Sequence, residues 1–72
     1  MYTVILNGER NSRPAGIGQL QERNGEALAT VEQAILAYQE HLNWLSSLGN
    51  YKITMACIKD NQGNQVLDLL AG

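Results

Sequence analysis

A chain of 72 residues with 44% hydrophobic side chains and a formal charge of −2 has room for one domain, residues 1–72, and is too apolar for a disordered segment. Its single cysteine excludes an intrachain disulfide, and one histidine beside one cysteine cannot close a metal site. The acidic balance argues against nucleic acid as a partner, which calls for a basic surface.

Residues 2–6, YTVIL, are β-branched and aromatic and then meet Asn7-Gly8, which reads as a strand ended by a turn. The run is too short for a signal-peptide core and lacks a basic lead. No apolar stretch approaches the roughly 18 residues of a membrane span. With a lone thiol, these features point to a cytoplasmic protein that does not engage a membrane.

Residues 10–25, RNSRPAGIGQLQERNG, carry the only proline and three of the five cationic side chains. Glycine and proline make the segment a poor strand or helix, so it reads as a long loop. Asn24-Gly25 is itself a hairpin signal, and an extra hairpin around residues 19–29 is the alternative. The Ala, Leu and Glu content of that stretch argues the other way.

Residues 30–48, TVEQAILAYQEHLNWLSSL, are the clearest element. Val31, Ala34, Ile35, Tyr38, Leu42 and Leu45 recur at helical spacing. Thr30 with Gln33 fits a capping box, Glu32 suits the positive helix start, and Gly49-Asn50 closes the helix. Residues 51–59, YKITMACIK, read as a strand, DNQGN as a turn and QVLDLL as the returning strand. The expected fold is α+β: strand, long loop, helix, strand, strand, with one helix packed on a three-stranded, mainly antiparallel sheet.

Strict alternation assigns Tyr51, Ile53, Met55 and Cys57 to one face of that sheet and Lys52, Thr54, Ala56 and Ile58 to the other. Neither face is polar throughout, and one helix covers one face. The second face is then expected to expose Ile5, Ala56 and Ile58, an apolar patch of the kind that marks an interface. On the helix, Trp44 falls about 120° from Tyr38, with His41 and Leu48 between. These three sit at the edge of the buried stripe, where tryptophan commonly anchors a partner. A domain of this size buries only about 60% of its unfolded surface, so association is the expected source of further stability.

Chemistry is sparse. Glu40 and His41 are adjacent on a helix and point about 100° apart, so spacing does not pair them as acid and base. Cys57 lies within a strand without neighbouring cations and reads as a small core residue. DNQGNQVLD has the wrong acidic spacing for a calcium loop. AGIG is a fragment of a phosphate-binding pattern without its third glycine. No enzyme, cofactor or metal is expected.

Segment 10–25 keeps two readings. Arg10, Arg13 and Arg23 with Gly16 and Gly18 are the residue types that hold an anion, by guanidinium forks and exposed backbone N–H groups. Equally, Glu9, Glu22 and Glu26 balance the three arginines and suit a solvated connector. In size and character the chain is similar to small accessory proteins of phages and mobile elements, a likeness carried by no motif. The functional expectation is a small non-catalytic intracellular binding module. It would work by association with itself, as a homodimer for instance, or with a larger protein that it inhibits or adapts. The alternative is sequestration of a small phosphate- or nucleotide-like ligand by the arginine–glycine segment.

Overall fold

The computed structural model describes residues 1–70, and residues 15–17 by their backbone alone. One helix packs on an antiparallel sheet, so the α+β class holds. The elements are β1 (Thr3–Arg10), β2 (Arg13–Leu20), β3 (Glu22–Arg23), β4 (Glu26–Ala27), α1 (Val31–Leu48), β5 (Tyr51–Lys59) and β6 (Gln65–Asp68). The main sheet has four strands in the order β2-β1-β5-β6, with every neighbour antiparallel, and β3 and β4 form a separate short hairpin. No described helix is long and apolar enough to cross a membrane.

The largest departure from the sequence-based expectation is the long loop, most of which is strand. Its first turn is not Asn7-Gly8 but Asn11-Ser12, whose φ angles of 54° and 64° are both left-handed. Two such residues make the tight turn whose twist matches antiparallel strands. β1 therefore runs on to Arg10, and β2 returns beside it as an edge strand. Pro14 and the glycines are compatible with an edge, where one side of the ladder is open. The hairpin of residues 19–29 also forms, reduced to Glu22↔Ala27 and Arg23↔Glu26, with Asn24 and Gly25 both at positive φ.

Gly8 is a pivot inside β1. The β1–β5 register shifts between Asn7 and Gly8, and the β1–β2 register shifts between Asn7 and Glu9. Asn7 pairs with Met55 while Gly8 pairs with Ile53, so Thr54 is the extra residue of a β-bulge. The Thr54 hydroxyl donates to the Asn7 carbonyl, and the Gly8 N–H donates to the Asn7 side-chain oxygen at 3.0 Å.

The bulge overturns the assignment of faces. Ile53 and Tyr51 precede it, Ala56 and Ile58 follow it, and all four end on the helix side. Val4, Leu6, Ala56 and Ile58 form the core with Leu28, Ala34, Ala37 and Tyr38, and Ile53 packs against it. Ile58 is 0% exposed, so it is a core residue and not part of a free face. Ile5 does lie on the outer face, in the cross-strand row Gln19–Ile5–Cys57–Asp68, beside the row Thr3–Lys59–Gln65. That face is mixed in polarity, not an apolar patch.

The helix begins and ends as its sequence dictates. Thr30 accepts the Gln33 N–H at 3.1 Å, and Gly49 ends the helix at φ 72°. The Gln33 side chain reaches one residue further back than a capping box requires, to the Ala29 N–H at 2.9 Å. Removing the cap with Thr30→Ala is expected to cost about 1 kcal/mol in urea unfolding, because one orphan helix donor loses its partner. Burial raises the Tyr38 phenol above its ordinary value. In the β5–β6 turn the backbone N–H groups of Asn64 and Gln62 donate to the Asp60 carboxylate and hold it below the usual range.

Candidate functional site

The helix lies over β1 and β5, which leaves β2 at the open side of the same face. Leu20 pairs with Val4 and Gly18 with Leu6, so both face the helix. A methyl group built on Gly18 would meet nothing within 4 Å. With so little bulk on β2, a seam stays open between this strand and the flank of α1. The short β3–β4 hairpin closes part of it.

A shallow cleft of about 270 Å³ results, lined by Leu20, Glu22, Arg23 and Asn24 on the hairpin side and by Ala37, Glu40, His41 and Trp44 on the helix. Arg23 and Glu40 form an ion pair that ties the hairpin to the helix. Both side chains are partly exposed, so this pair fixes position more than it adds stability, at most about 1 kcal/mol. His41 lies against Trp44, with ring centroids 5.6 Å apart and planes tilted by 32°. Trp44 is nevertheless 57% exposed, and Leu48, one turn further along the helix, is 42% exposed. Hydrogen bonds from the Ser47 hydroxyl to the Trp44 carbonyl and from the Ser46 hydroxyl to the Asn43 carbonyl brace this last turn.

His41, Trp44 and Leu48 thus share one flank, as the helical phase implies. Ile5 stands on the opposite face of the sheet and Ile58 in the core, so the five residues expected at an interface do not form one surface. The anion-binding set also divides. Arg10 and Arg13 flank the Asn11-Ser12 turn and are exposed, whereas Arg23 sits on the second hairpin and is engaged by Glu40. Gly18 belongs to the seam. Gly16 lies in β2 by its backbone, and its surroundings fall outside the described residues. Leu20 escaped the sequence reading, which took Asn24 only as a turn residue and Glu40 only as a neighbour of His41 that spacing does not pair with it as acid and base. Asn24-Gly25 is the local signal of the hairpin expected as the alternative, whereas the partner of Glu40 is Arg23, 17 residues away and without a local signal.

Among the described residues no group of His, Cys, Asp and Glu is arranged to hold a metal ion. Cys57 is buried beside Ile5. Comparison with known protein families, with curated proteins and with solved structures returns no match.

Proposed function

We propose that this protein is a non-catalytic intracellular binding module that acts by protein–protein association, and that the helix flank centred on Trp44 is its contact surface. One observation carries this reading: the only tryptophan of the chain is more than half exposed on a capped 18-residue helix. Its neighbours are chemically suited to the same task. Leu48 extends the apolar area, Ala37 and Leu20 supply an apolar floor to the cleft, and Arg23, Asn24 and Glu40 supply a polar rim. A buried aromatic anchor inside a polar rim is the usual anatomy of a specific interface.

Self-association is the form open to direct measurement. In sedimentation velocity at micromolar concentration, the wild-type chain is expected to run as a dimer or larger. Trp44→Ala should weaken the assembly by roughly 30-fold or more, the loss typical of a central aromatic anchor, while the circular dichroism of the fold is unchanged. A wild-type protein that stays strictly monomeric over the whole range would rule out self-association through this flank.

A further inference from the structure

A second site emerges at the tip of the β1–β2 hairpin, independent of the Trp44 flank. Arg10 is the direct cross-strand partner of Arg13 on one side and of Tyr51 on the other. Residues directly opposite in antiparallel strands share a face, with their Cβ atoms about 5 Å apart. Two arginines and a tyrosine therefore share one backbone row, Arg13–Arg10–Tyr51, with the Tyr51 ring leaning towards Gly8. Both arginines are exposed, and Tyr51 is half-buried.

The backbone of the two arginines and the ring of Tyr51 are held in place. The two-residue Asn11-Ser12 turn, with both φ angles positive, leaves no slack in the pairing of Arg10 with Arg13. The Tyr51 ring lies directly against the bare backbone of Gly8, where a Cβ would come within 2.6 Å of its Cε1 atom. Glu9 belongs to the next row, opposite Lys52, so it projects from the other face of β1. Two like charges directly opposite each other disfavour the free fold. A multiply charged oxyanion between them reverses the sign of that interaction. The fork of each guanidinium can donate two hydrogen bonds to such a group, and the phenol can donate one more.

We propose that Arg10, Arg13 and Tyr51 form a clamp for a phosphoryl group. A carboxylate offers two oxygens in one plane; a phosphoryl group offers three in a tripod with up to two charges, which matches two forks and a hydroxyl approaching from one row. The competing role is structural. The helix C-terminus carries no basic residue in its last turn and leads through Gly49 and Asn50 into Tyr51. The arginines could serve there as counter-charges to its terminal carbonyls.

Thermal unfolding of the full chain separates the two roles. Inorganic phosphate, adenosine monophosphate and a phosphoserine peptide are titrated at constant ionic strength, so that screening is equal throughout. The expected result is a saturable rise in Tm, with the tightest of the three probes naming the source of the phosphoryl group. Arg10→Gln and Arg13→Gln should each leave the unliganded Tm unchanged or higher, because the like-charge contact is relieved. Each should also weaken phosphoryl binding by roughly tenfold or more. Tyr51→Phe, which keeps the ring on Gly8, should weaken binding without altering the unliganded Tm. The clamp is overturned if no probe gives a saturable rise. It is equally overturned if Arg10→Gln lowers the unliganded Tm while the response to phosphate persists, which is the signature of the helix-capping role.

Discussion

Ile58→Asp is expected to leave the chain unfolded at 25 °C. Ile58 is fully buried, pairs with Val4 across the central strands, and faces the cluster that contains Leu28 and Tyr38. Aspartate there would lose the apolar contacts and bury a carboxylate without a partner, at a cost of several kcal/mol. A domain of this length has only about 4–11 kcal/mol of total stability, at roughly 0.05–0.15 kcal/mol per residue. The milder Ile58→Val should fold and lose about 0.5–1.5 kcal/mol in urea unfolding. Ile5→Asp, on the outer face, should also retain the fold. An Ile58→Asp protein with a native amide spectrum and merely weaker self-association would mean that this residue lies on an exposed face after all.

Gly8→Val should be comparably severe for a different reason. A Cβ at this position would stand 2.6 Å from Tyr51 Cε1 and 2.7 Å from the Lys52 carbonyl oxygen. The ring can swing away, but the carbonyl belongs to the backbone of β5 and moves only if the central ladder moves. Gly8→Ala should therefore cost about 1–3 kcal/mol, in the range of overpacked cores. At roughly 4–8 °C per kcal/mol for a domain of this size, the loss is readily measured by calorimetry. The larger valine should exceed it. The double variant Gly8→Ala with Tyr51→Ala sharpens the test. It removes the contact with the ring and keeps the contact with the carbonyl, so the cost of Gly8→Ala should persist in a Tyr51→Ala background. Disappearance of that cost would locate the whole conflict in the ring.

The same glycine explains where the sequence was readable and where it was not. The helix was legible from Thr30 to Gly49 because capping and periodicity are local properties. The β5–β6 turn was legible for the same reason, since Asp60 binds backbone groups only two and four residues away. Asn7-Gly8 has the composition of a turn, yet it is a bulge, because the decisive contacts come from Tyr51 and Lys52 in a strand more than half the chain away. Once β1 was cut short at that point, RPAGIGQL had no partner and read as loop. The bulge also shifts the phase of β5, which no alternation pattern can anticipate. That shift moved Ile58 from the expected interface into the core. The Trp44 flank was visible because helical phase alone sets it. The row of Arg10, Arg13 and Tyr51 was only half visible, since Tyr51 joins it through a long-range pairing.

That pairing also dictates the order of assembly. In the ladder at the centre of the sheet, Thr3 faces Lys59 and Arg10 faces Tyr51, whereas β1 and β2 are joined by two residues. The hairpin and the helix can form within microseconds from local contacts. The β1–β5 ladder must first close a loop that contains both of them, and loop-closure entropy is spent before any of its hydrogen bonds is gained. Until β5 docks, Val4 and Leu6 have no cover from Ala56 and Ile58, and the inner edge of β1 is unpaired. A nascent chain meets this state directly, because β1 leaves the ribosome before β5 does. Val4 and Leu6 wait, exposed, for a strand made more than forty residues later.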